Sequence, residues 1–116
     1  MTIKGLGIDI EEIKRFSRLP YRSHRSIYKN IFTAREIKYC LSKVNPAPHF
    51  AARFAGKEAV LKALGESVYQ LKQFEILNDK NGSPQVKSQG SRVTGQILVS
   101  LAHTKDYAIA FALWQN

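Results

Sequence analysis

Cysteine is almost missing from this sequence: the one thiol, Cys40, has no second cysteine to pair with, so an internal disulfide framework is excluded. In a helical pattern a lone cysteine reads as a small core residue. Long apolar runs are also missing, and the opening MTIKGLGIDI has neither the apolar stretch nor the cleavage site of a secretory leader, so the expected compartment is the cytoplasm and no membrane span is predicted. Acidic residues are scarce. Nine Asp and Glu stand against 18 Lys and Arg, giving a net charge of +9 and an isoelectric point near 9.9. Such a balance calls for an acidic partner, whether nucleic acid, an anionic surface, an acidic protein or a phosphorylated small molecule. There is no P-loop, C-x-x-C set, H-E-x-x-H pattern, internal repeat or low-complexity linker.

What is present describes one compact domain over residues 1–116, with 44% hydrophobic residues. The positive charge is concentrated. From Ile13 to Arg35 there are seven basic residues and no acid. Arg15, Arg18, Arg22, Arg25 and Lys29 follow a 3, 4, 3, 4 spacing that a continuous helix would gather on one face. Pro20 is expected to divide that helix.

The first strand is predicted in LGIDI, where Leu6, Ile8 and Ile10 alternate with Gly5, Gly7 and Asp9. Two glycines on one face permit a close approach by another group. EEIKRF reads as a helix, with acids in its first turn. FTAREIKYCL reads as another, opened by a Thr33/Glu36 capping box and stopped by Pro46 and Pro48. Strands are predicted in QFEIL, GQILVSL and DYAIAFALW, with a hairpin turn at Asn81-Gly82 before Pro84.

The longest helix is predicted from about His49 to Leu64. Phe50, Phe54 and Leu61 form one stripe, and Ala52, Ala55, Gly56, Ala59 and Ala63 form a small-residue face suited to close packing. Lys57 and Glu58 are expected at the edges of the apolar stripe, with Glu58 and Lys62 as an i, i+4 pair. Charges on so apolar a helix suggest a site, since partly buried charges need a partner, metal or ligand.

The blocks GLGIDIEEIKRF, FTAREIKYC, RFAGKEAVLKALG, NDKNGSP and VSLAHTKDYAIAFA, in this order, resemble the holo-acyl-carrier-protein synthases, the small type of 4'-phosphopantetheinyl transferase. The resemblance implies an α+β fold with an antiparallel sheet packed on a long central helix, and a homotrimer with coenzyme A sites between subunits. It implies transfer of phosphopantetheine from coenzyme A to a serine of an acidic acyl carrier protein for fatty acid biosynthesis. Asp9 and Glu58 would bind Mg2+, and Lys62, one helical turn from Glu58, would complete the catalytic set by neutralising developing charge or orienting the metal ligand. Arg53, Lys57, Asn81, Gly82, Pro84, His103 and Thr104 would contact coenzyme A. Arg15, Arg18, Arg22 and Arg25 would dock the carrier. The chain departs from the family pattern at Glu66-Ser67-Val68-Tyr69 after the helix, at Ser83, at Ala102 and at Gly56. The competing readings are a carrier-binding subunit without catalysis and a basic nucleic-acid-binding module, the latter lacking a recognised motif.

Overall fold

The computed structural model describes residues 2–65, 69–90 and 93–116. The Glu66-Ser67-Val68 departure therefore lies outside the described residues. In chain order the elements are β1 (Ile3–Glu12), α1 (Lys14–Ser17), a 3-10 turn (Tyr21–Ser23), α2 (Arg25–Ile31), α3 (Ala34–Leu41), α4 (Pro46–Leu64), a second 3-10 turn (Leu71–Gln73), β2 (Phe74–Asn78), β3 (Pro84–Ser88), β4 (Gln96–His103) and β5 (Tyr107–Gln115). A three-stranded antiparallel sheet has the order β1-β5-β4, and β2 and β3 form a separate hairpin. This is an α+β fold built around α4.

Helix α4 is buried on almost every side, as its high content of small and apolar residues requires. One side carries Phe50 and Phe54 into an aromatic cluster with Phe16, Tyr28 and Phe32. The other presents Ala55, Ala59 and Ala63 to Ala110 and Ala112 of β5. Contact with β1 is closer still. A Cβ placed on Gly5 would lie 1.8 Å from the Ala63 carbonyl oxygen, and one on Gly7 1.9 Å from that of Ala59. Only glycine lets the strand backbone rest on the helix backbone here.

That packing turns the sheet over relative to a simple amphipathic reading. The alanines of β5 face the helix, while Leu6, Ile8, Ile10, Ile109 and Phe111 face outward. Across the register Ile8 opposes Phe111 and Ile10 opposes Ile109, so these side chains form one continuous apolar surface.

Two local expectations change, and the break expected at Pro20 is present. Glu11 and Glu12 extend β1 instead of opening a helix, and α1 starts only at Lys14. Pro46 and Pro48 do not merely stop α3: they occupy the first turn of α4, where a missing N–H costs nothing. The arginine stripe is divided at Pro20 into α1, a 3-10 turn and α2, with Arg15, Arg18, Arg22 and Arg25 all exposed. The Thr33/Glu36 capping box forms as expected, and Gly65 ends α4 in the left-handed conformation at φ 70°.

Candidate active site

Because Gly5 and Gly7 press β1 against α4, the next inward residue, Asp9, comes to lie beside the last turns of the helix. Lys62 Nζ donates to the Ile8 carbonyl at 2.9 Å and to Asp9 Oδ1 at 3.2 Å. Asp9 Oδ2 is buried and accepts no hydrogen bond. Glu58 lies close enough for the two carboxylates to repel, and burial, followed by the Asp9 charge, raises its pKa. Glu11, on the same face of β1 as Asp9, is pushed up to about 7 by burial first and then by Asp9. Arg15 reaches Glu11 at 3.4 Å, and its guanidinium stands 4.7 Å from the centre of the Phe54 ring. The expected Glu58-Lys62 pair is replaced: among the described residues Lys62 takes Asp9 as its ion-pair partner.

A second group surrounds a cavity of about 180 Å3 on another side of α4, lined by Arg53, Gly82, Pro84 and His103 together with Tyr39, His49 and Asn78. Arg53 is 3% exposed, donates to Asn78 Oδ1 at 3.3 Å, and lies 4.3 Å from the Tyr39 ring centre. Its Nε is buried without a partner. Lys43 sits 4.6 Å from the same ring, and Asn78 Nδ2 donates to the Tyr39 hydroxyl at 3.0 Å. The His49 and His103 rings are 6.3 Å apart. His49 is held below 6.5, by burial first and then by Arg53, Lys43 and His103. A guanidinium and two imidazoles around a small cavity, with Lys43 against its Tyr39 wall, suit a phosphorylated ligand.

The loops beside this cavity are locally locked. Asp79 Oδ1 accepts from the Asn81 and Ser83 amides at 2.9 and 3.0 Å, and Gly82 takes φ 85°. The Thr104 hydroxyl accepts from the Asp106 and Tyr107 amides, so Thr104 closes the β4-β5 turn next to His103. Asn81 and Thr104 thus shape the rim; neither lines the cavity itself.

Lys57 departs from the expectation that it sits at the helix edge and meets coenzyme A. It is 0% exposed. Its ammonium donates to Glu36 Oε1 at 2.6 Å and to the Leu71 and Phe74 carbonyls at 3.2 and 2.7 Å, which uses all three of its protons. Glu36 in turn accepts from the Thr33 and Ile76 amides, so the pair ties α3, α4 and β2 together inside the protein.

Within one chain the two groups remain apart. Arg53 and Lys62 are nine residues apart on α4, half a revolution at about 100° per residue. Asp9 lies on edge strand β1 and His103 on the opposite edge strand, β4. Tyr39, Lys43, His49 and Asn78 were not legible as site residues. They come from three separate segments, and only Lys43, as a basic residue beyond α3, carried any hint.

The family model of the 4'-phosphopantetheinyl transferase superfamily matches residues 5–112. A holo-[acyl-carrier-protein] synthase of Thermodesulfovibrio yellowstonii is 41% identical over 112 residues, covering 96% of this chain and 97% of that one. Among solved structures, the holo-[acyl-carrier-protein] synthase of Neisseria meningitidis superposes with a TM-score of 0.87 at 25% identity, covering 99% of this chain and 100% of the other. That of Bacillus anthracis, in complex with CoA (3',5'-ADP), gives 0.82 at 26% identity and covers 98% and 97%. With its fold, its glycine-packed Asp9 strand and these full-length matches, the chain belongs to the holo-acyl-carrier-protein synthases of the 4'-phosphopantetheinyl transferase superfamily.

Proposed function

We propose that this enzyme transfers 4'-phosphopantetheine from coenzyme A to a serine of an acidic apo acyl carrier protein, dependent on Mg2+, in support of fatty acid synthesis. The observation that carries the reading is Asp9: a carboxylate packed beside Lys62 and Glu58, with one buried oxygen lacking any partner. Among the described residues no three His, Cys, Asp or Glu side chains form a complete metal cage. That suits Mg2+, a hard cation that takes one or two carboxylates and fills its other positions with water and phosphate oxygens. Asp9 and Glu58 would hold the ion. When bound, it supplies positive charge to offset the negative charge spread over the reacting phosphate.

Lys62 holds Asp9 in place and adds a second positive charge at the same point. Arg53 and His103, with the Gly82-Pro84 turn beside them, would bind the nucleotide end of coenzyme A. Lys57, fully engaged inside the fold, acts by fixing α4 and takes no part in ligand contact. Arg15, Arg18, Arg22 and Arg25 offer an exposed cationic face to the acidic carrier. Arg22 and Arg25 rim a hollow of about 560 Å3 floored by Phe16, Tyr28 and Phe50. Such a floor would receive apolar side chains of a carrier helix.

The two half-sites on opposite sides of α4 favour a site completed between copies of the chain. The outward apolar face of the sheet supplies a surface for a homotrimer.

Intact-mass spectrometry of apo carrier protein incubated with coenzyme A, Mg2+ and this enzyme tests the reading. A phosphopantetheine mass gain with wild type and none with Asp9→Ala/Glu58→Ala is expected. No gain with several carriers, despite carrier binding, would indicate a docking subunit without catalysis.

A further inference from the structure

Between α2, α3 and the 3-10 turn at Leu71–Gln73 lies a hollow of about 640 Å3, which borders the carrier hollow at Tyr21 and Leu41 and otherwise takes its walls from residues not assigned above to metal, coenzyme A or carrier. Its apolar surface comes from the exposed Leu41, with Ile37 and Tyr21 beside it over the buried Phe32 ring, and its rim carries Lys29, Lys38 and Lys72. No acidic residue lines it. The sign of the charge follows from the fold. Glu36, the acid of α3, is turned inward onto Lys57, so the outward side of that helix keeps only Arg35 and Lys38. Among the described residues none of the three rim ammonium groups has an ion-pair partner. Ala34, Lys38 and Leu41 follow an i, i+4, i+7 spacing on α3, which places charge and apolar surface on one helical face.

The combination selects a ligand class. An inorganic anion would use the lysines and leave the apolar floor wet, whereas a neutral hydrocarbon would fill the floor without using the charge. The volume is within the range of about 300–1,000 Å3 usual for a small-molecule site. We propose that this hollow binds a single-chain anionic amphiphile, a long-chain carboxylate, with its tail on Leu41, Ile37 and Tyr21 and its head between the lysines. The site stands on the helical side of the molecule, away from the outward face of the sheet. Binding there is independent of the catalytic reading.

Titration calorimetry with dodecanoate, kept below its micelle concentration and with neither carrier nor Mg2+ present, tests the proposal. Saturable binding of one dodecanoate per chain is expected, with dodecanol about tenfold weaker. Ala34→Trp would fill the hollow from an exposed position at the start of α3, and Lys38→Ala/Lys72→Ala would strip its rim. Each variant should weaken dodecanoate by about tenfold or more, and circular dichroism should confirm that both keep the fold. The double lysine variant, with both changes at exposed positions, carries the test if the tryptophan disturbs α3. Three results would overturn the proposal: no saturable binding, equal binding by wild type and both variants, or loss of binding on saturation with coenzyme A. The last would place the carboxylate in the Arg53 cavity instead.

Discussion

Lys57 and Lys62 stand five residues apart on α4 and act in different ways, because one points into the protein and the other toward the edge of β1. Removing the charge of Lys57 leaves the Glu36 carboxylate and two carbonyls buried with fewer donors, and breaking such a pair costs about 3–5 kcal/mol. Lys57→Met should therefore lower the urea midpoint by that equivalent, and a midpoint within error of wild type would remove the structural role. Lys62→Met should spare stability and reduce transfer, since Lys62 is half exposed and its partner is Asp9. His49 offers a pH test in the other group. Its folded pKa lies below the unfolded 6.5, so below that pH the unfolded chain binds more protons than the folded one. Its contribution is intact above pH 6.5 and is lost as pH falls through the folded value. Urea midpoints at pH 7 and pH 5 should differ more for wild type than for His49→Asn. Equal differences would show that the imidazole is not held neutral by its surroundings.

At the scale of elements, the approach of β1 to α4 decides where the Asp9 carboxylate sits. Gly7→Ala would drive a methyl into the Ala59 carbonyl, and overpacking of this kind costs about 1–3 kcal/mol or more. Because Asp9 is two residues further along the same strand, the variant should lose affinity for Mg2+ or Mn2+ by calorimetry even where circular dichroism shows it folded. Retained metal affinity would separate the strand contact from the site. Gly56 behaves differently, since a methyl there would meet only the ends of Ile76 and Leu101. The elements were legible because their patterns are local: the alternation of β5, the Thr33/Glu36 box and the Asn81-Gly82 turn each lie within a few residues. Their partners were not. The sequence shows that Lys57 is charged, but its burial depends on Glu36, Leu71 and Phe74, which the fold brings from three other segments. The resemblance brought Asp9 together with Glu58, but the pairing of Asp9 with Lys62 was not legible, as no spacing rule joins residues 53 apart.

For the molecule as a whole, the sheet poses the energetic problem. Ile8 is 63% exposed, Ile10 59%, Leu6 57% and Phe111 41%, all on one side of three paired strands. An apolar surface of this continuity on a small chain marks an interface. Its covering by further copies would also bring the Asp9 edge of one chain toward the His103 edge of another, since these edges bound the same face. On the proposed reading, association and coenzyme A binding would be one event. Ile8→Asp/Phe111→Asp should shift the enzyme from the proposed trimer to a monomer in sedimentation equilibrium, because each copy would bury charge in an apolar contact. The same variant should lose coenzyme A affinity by at least about tenfold, although neither residue lines the Arg53 cavity. A monomeric variant that bound coenzyme A as tightly as wild type would show that one chain holds a complete site. A variant that stayed trimeric would move the interface to another face.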